Sequence, residues 1–107
     1  MSVVIIDYEI GNINSIVGAL SKLGVNYEFS RDHKVINKAE KIILPGVGSF
    51  LHGMSNLQKF NLVDILNNEV IKKNKPILGI CLGMQLFCKS SEENNIEVNG
   101  LGWLNAR

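Results

Sequence analysis

In Gly79-Ile80-Cys81-Leu82-Gly83 a cysteine stands two residues from a glycine on either side. An apolar run, Pro76 to Ile80, leads into it, and a segment with helical character, Met84 to Lys89, follows at once. Strand, sharp turn and helix with a nucleophile at the apex is the layout of a nucleophile elbow, here carrying a thiol. The glycines are needed sterically, because so tight a turn brings neighbouring backbones close to one another. The turn lifts the sulfur out of the sheet, and the start of the new helix is expected to aim unpaired N–H groups at it. Both effects favour the thiolate, the reactive form.

A cysteine hydrolase also needs amide donors for an oxyanion and a base. The N–H of Leu82, which follows the nucleophile, is one candidate donor. An N–H from Pro45-Gly46-Val47-Gly48 is the other, since two glycines around Val47 let that backbone turn an amide inward. Position 51 is leucine, so Gly46-Val47-Gly48 lacks the third glycine of a dinucleotide fingerprint. The base is not obvious. His33 follows the second apolar run, and His52, whose loop is the one placed to lie beside the elbow, is the better candidate; either also suits a surface or capping role. Cys88 has no glycine setting and reads as core or partly buried on the same helix face as Cys81. Seven residues of helix would separate the two Cα atoms by about 10 Å, too far for a disulfide. No metal-ligand spacing is present, so no metal or cofactor is expected.

The elements that position these groups alternate. Val3 to Ile6 reads as a strand buried on both faces. Ile13, Ile16, Val17, Leu20 and Leu23 recur at helical spacing, with Asn12 as N-cap and Gly24 as terminator. Val25 to Phe29 is a second strand, Asp32 caps a short helix through Ile36, and Lys41 to Leu44 is a third strand stopped by Pro45. A helix from Leu62 to Lys73 presents Leu62, Ile65, Leu66 and Val70 to one side, and Pro76 opens a fourth strand. This predicts an α/β fold, a parallel doubly wound sheet with helices on both faces. Ligands gather at the carboxyl ends of such strands. Three loops fall there: Tyr8 to Asn12, Pro45 to Phe50, and the elbow. Ser90 to Gly100 is polar and reads as a loop. Gly100 to Asn105 reads as the approach to another strand, which suggests a truncated protein.

The 107 residues, 46% hydrophobic and 20% charged with net charge +1, are enough for one domain and exclude a disordered chain or a basic nucleic-acid surface. Lys72-Lys73-Asn74-Lys75 reads as a solvated helix end. The apolar start, Met1 to Asp7, is too short to span a membrane and lacks a basic region or cleavage site. A reducing cytoplasm with free thiols is the expectation, with no nucleic acid and no membrane as partner.

Ile6-Asp7-Tyr8, Gly11-Asn12, Leu44 to Phe50 and Pro76 to Gln85 together resemble the glutaminase subunits of imidazole glycerol phosphate synthase, class I glutamine amidotransferases of histidine biosynthesis. The likeness runs the length of the chain and extends to Ser90-Ser91-Glu92-Glu93 and Gly100-Leu101-Gly102. It implies a flavodoxin-like core, of which residues 1–107 are the N-terminal part of one amidotransferase domain. It also implies that Cys81 attacks the side-chain amide of glutamine and releases ammonia through a glutamyl thioester, with Leu82 and Val47 as oxyanion donors. Gly46, Gly48 and Gln85 would hold glutamine. Tyr8, Gly11 and Asn12 would lie at the interface and ammonia gate toward a (β/α)8 cyclase/synthase subunit, forming a heterodimer. The family's catalytic histidine and glutamate lie further along than position 107, so the chain alone is expected to be inactive. Many members carry glycine where this chain has Glu9; a positive φ there would cost on the order of 1 kcal/mol. Three other readings stay open: a paralogue serving surface-polysaccharide amino-sugar synthesis, a different cysteine hydrolase using His52 or His33, and a non-catalytic partner-binding fragment.

Overall fold

A computed structural model describes residues 2–10, 13–93 and 96–104. Four strands, β1 (Ser2–Ile6), β2 (Asn26–Ser30), β3 (Lys41–Leu44) and β4 (Ile77–Gly79), form one parallel sheet in the order β2-β1-β3-β4. This is the doubly wound arrangement expected. β1 sits inside the sheet and alternates its side chains between two cores. Val4 and Ile6 join Ile42 and Leu44 on one face; Val3 and Ile5 join Ile43 on the other. That is why its sequence is apolar at every position rather than at every second one.

The helices divide unevenly. Among the described residues α1 (Asn14–Lys22) is the one helix on the Val3–Ile5–Ile43 face, joined there by Val25 and Ile80, and none of the helix's residues is fully buried. Its N-cap position is Ile13, with no side-chain cap; the proposed cap Asn12 lies outside the described residues. The opposite face is covered by α2 (His33–Lys38), α3 (Phe50–Lys59), α4 (Val63–Leu66) and α5 (Leu82–Gln85). Asp32 caps α2 as expected, accepting from the Lys34 N–H at 2.8 Å. Helix α3 was not anticipated. It starts at Ser49, whose hydroxyl accepts from the His52 N–H, and buries Phe50, Gly53, Met54 and Leu57.

The predicted helix over 62–73 forms in two parts. Helix α4 passes into a π-helical segment, Asn67–Lys72, which closes with a bond from the Lys73 N–H to the Asn68 carbonyl. Ser90 to Gly100 is not a loop. β5 (Ser90–Glu93) and β6 (Ile96–Asn99) pair antiparallel as a hairpin. β5 is polar throughout, while β6, Ile96-Glu97-Val98-Asn99, alternates apolar and polar residues and packs Val98 against the main core. The chain beyond returns beside the end of the elbow segment. Leu101 donates to Leu86 and Leu104 to Phe87, while the Trp103 ring packs on Phe87 at 5.1 Å and its Nε1 donates to Asn67. Among the described residues no helix is long and apolar enough to cross a membrane.

Candidate active site

β4 ends at Gly79, the Ile80 N–H still bonds the Leu44 carbonyl of β3, and α5 begins at Leu82. Cys81 alone makes the corner. Its backbone sits at φ 53° and ψ −117°, a conformation that disfavours a side chain, and its thiol is exposed and free. Strain at an exposed nucleophile is a hallmark of an elbow.

The flanking glycines are required by space. A Cβ on Gly83 would overlap the Leu44 carbonyl oxygen, and one on Gly79 would come within 2.6 Å of the Met84 Cα. Sheet and helix therefore meet backbone to backbone. Gly46 is a third close approach, since a Cβ there would strike the Tyr8 hydroxyl and lie 3.2 Å from the Leu82 Cβ. Gly48 adopts φ 111°, where a side chain is disfavoured, while Val47 between them is 58% exposed.

The amides at the start of α5 are all bonded to backbone carbonyls. Leu82 N–H donates to the Gly46 carbonyl at 3.0 Å, Gly83 N–H to Ile80, and the Met84 and Gln85 N–H groups to Cys81's own carbonyl. Four residues are too few to leave a free first turn, so local carbonyls take up these donors. The helix is also shorter than the run to Lys89 suggested. Cys88 consequently lies beyond it, half-buried, with its N–H on the Gln85 carbonyl.

The Tyr8 side chain is wholly buried; its hydroxyl donates to the Pro45 carbonyl, and Asn56 Nδ2 donates to the Tyr8 carbonyl at 2.8 Å. Burial pushes the phenol well above its ordinary value, which keeps it a proton donor. The surface next to it belongs to Glu9, at φ 62°, whose carboxylate pairs with Arg31 at 3.1 Å. Gly11 and Asn12 lie outside the described residues. Gln85 is exposed on α5 beside the elbow.

Neither histidine is hydrogen-bonded to Cys81 among the described residues. His33 is exposed and its Nε2 lies 3.0 Å from the Asn61 carbonyl, while His52 is exposed on the first turn of α3. No cluster of three metal-ligating side chains occurs there either. Two cavities of about 320 Å³ lie away from the elbow, one along Tyr27, Glu28 and Lys38 and one along Leu20, Ile43 and Leu78. Residues 4–101 match the family described as glutamine amidotransferase class-I.

The chain belongs to the class I glutamine amidotransferase family. Among the relatives of this amidotransferase is imidazole glycerol phosphate synthase subunit HisH 2 of Methanococcus maripaludis, 49% identical over 105 residues, covering 98% of this chain and 51% of the relative. The subunits of the same name from Vibrio vulnificus and Pseudomonas aeruginosa are 46% and 45% identical, over 97% and 95% of this chain and 49% and 50% of theirs. The chain thus spans about half the length of the curated relatives it matches. A crystal structure of a glutamine amidotransferase superposes with a TM-score of 0.75 at 19% identity, covering 96% of this chain and 53% of the other, which supports the fold.

The largest polar feature that sequence reading missed is Glu69, 1% exposed in the π segment. Lys75 Nζ lies 2.7 Å and Lys73 Nζ 2.9 Å from its carboxylate, and Asn37 Nδ2 donates to it. Burial alone would raise its pKa, but hydrogen bonds from Lys75 and Lys73 outweigh that and hold it down at about 2. Lys75 also donates to the Ile36 and Asn37 carbonyls near the end of α2. The Lys72–Lys75 run is therefore not simply a solvated helix end, because its last lysine is an interior tie. A signal existed: Glu69 falls seven residues after Leu62 and three after Leu66, on the apolar stripe, with a lysine four residues on.

Proposed function

We propose that this chain carries the nucleophilic half of a glutaminase that supplies ammonia to a synthase. The Cys81 sulfur attacks the side-chain carbonyl carbon of glutamine, the C–N bond breaks, and nitrogen leaves as ammonia after taking the thiol proton. Water then cleaves the thioester, giving glutamate and the free thiol. The observation that carries this reading is the single-residue corner at Cys81, exposed and strained between backbone contacts that only Gly79 and Gly83 permit. The names of the HisH relatives supply the context: a synthase with more than one subunit. We read the partner as a (β/α)8 cyclase/synthase subunit in a heterodimer of the cytoplasm. Glutamine contacts fall to Gly46, Gly48 and Gln85.

The oxyanion donors follow from one peptide. The Gly46 carbonyl and the Val47 N–H belong to the same planar unit and point in opposite directions. With the carbonyl on Leu82 N–H, both candidate donors are withheld. Rotation of that peptide would free Leu82 N–H and turn Val47 N–H toward the same space. A resting and an active state are thus one peptide flip apart, and Gly46, whose ψ must change, supplies freedom on its side of the peptide. By the family likeness, the proton acceptor for the thiol falls in the half of the family domain that this chain does not span, and no hydrogen bond joins His33 or His52 to Cys81 among the described residues.

The test is covalent labelling with a glutamine analogue bearing an electrophilic side-chain ketone. We expect Cys81 to be modified at least tenfold faster than Cys88, with free glutamine slowing the reaction. Equal rates at the two cysteines, or no protection by glutamine, would refute the reading.

A further inference from the structure

One residue in the interior touches the peptide that withholds the donors. Tyr8 lies just past the end of β1, fully buried, with its hydroxyl on the Pro45 carbonyl and against Gly46. Its backbone is held in turn by Asn56 of α3. Pro45 immediately precedes the peptide whose carbonyl occupies Leu82 N–H. We propose that Tyr8 is a positioning residue whose hydroxyl anchors the Pro45–Val47 loop in the state that keeps Leu82 N–H occupied.

The physical argument is a chain of three bonds: Asn56 to Tyr8, Tyr8 to Pro45, and Leu82 to Gly46. A peptide flip changes ψ of Gly46 and φ of Val47, so the preceding peptide must be fixed if the flip is to have two defined end points. The Tyr8 hydroxyl is the group that fixes it. A phenol so deeply buried gives up a bond that water cannot replace if its acceptor moves. The anchor also has an outside handle, since Glu9 follows directly and is tied to Arg31 at the surface. A partner engaging that pair would act on the loop through one intervening residue. The anchor's role in withholding the donors rests on the glutaminase reading; the anchor itself does not.

The experiment is amide hydrogen exchange on the 107-residue chain, residue by residue, with Tyr8→Phe. Leu82 is expected to exchange about tenfold faster, the factor that loss of one buried hydrogen bond implies. Ile80 and Leu86, bonded to Leu44 and Leu82 rather than to the loop, should keep their protection relative to the rest of the chain. Acceleration shared equally by all three would mean that Tyr8 is only structural and would overturn the proposal, as would unchanged exchange at Leu82. If Tyr8→Phe does not fold, Asn56→Ala is used instead, with a selective rise of about threefold expected at Leu82 and no selective rise counting against the anchor. Labelling of Cys81 by the glutamine analogue is scored separately. Labelling without a selective change at Leu82 sinks the anchor alone. A selective change without labelling sinks the glutaminase reading and leaves the anchor standing.

Discussion

The corner at Cys81 and the cluster at Glu69 use opposite solutions for a chemically reactive group. Glu69 is a charge brought indoors and neutralised by Lys73 and Lys75, with the Asn37 and Asn68 side-chain amides donating to its Oε2. Cys81 is left outdoors on strained backbone, with the nearest amides assigned to other acceptors. One arrangement lowers the energy of the folded state and ties α2 to the π segment. The other raises it locally and leaves a nucleophile available. Strain of this kind persists because surrounding contacts over-determine it, and the close approaches at Gly79 and Gly83 are those contacts here.

The contrast breaks most visibly at Glu69. Glu69→Ala leaves Lys75, whose side chain is only 10% exposed, without its counter-charge. The expected loss is about 3–5 kcal/mol, read as a drop in the urea midpoint or as absence of a cooperative transition. A loss below about 1 kcal/mol would mean that the cluster is peripheral.

Acid probes the same cluster without mutation. Glu69's folded pKa, about 2, lies below its ordinary 4.5, so the stability it contributes is complete above the ordinary value. It is lost as pH falls from about 4.5 through about 2. The loss is on the order of 3 kcal/mol. Urea midpoints measured across this range should fall, and Glu69→Gln should flatten the dependence. An equally steep curve for that variant would move the effect to other carboxylates.

The smallest effect has the opposite sign. Cys81→Gly removes the nucleophile, but it places at φ 53° the residue that tolerates that backbone. The variant should unfold at higher urea by about 1 kcal/mol while losing all labelling at position 81. Destabilisation would show that the corner carries no strain.

Much of this contrast was legible in the chain. The apolar runs of β1 and β3 and the Asp32 cap stand where pattern and capping chemistry put them. So do the glycines of the elbow. Glu9's positive φ was foreseen as a cost, and Arg31 and the Asp7 carboxylate hold it in place. The β5–β6 hairpin was missed because β5 is polar throughout and the alternation Ile96-Glu97-Val98-Asn99 is too short to stand out within a polar stretch. Nor was α3, whose start at Ser49 sits inside a segment that looked like loop. Glu69 was missed because a carboxylate on an apolar stripe is ordinarily solvated.

By itself the sequence determined where an exposed thiol stands at a strained corner and which positions exclude a side chain. Both are local consequences of residue type: a thiol at a corner, and glycine wherever a Cβ has no room. It also determined the parallel α/β architecture, since apolar runs alternating with helical periods have few other ways to bury both faces of a sheet. Only the tertiary structure decided that Leu82's amide is already taken, that Tyr8 is buried with its hydroxyl on Pro45, and that Lys75 turns back onto Glu69. These facts depend on pairs 36, 37 and 6 residues apart: Leu82 with Gly46, Tyr8 with Pro45, and Lys75 with Glu69. A hydrogen bond's partner is chosen by proximity in the folded chain, which no pattern along one dimension encodes.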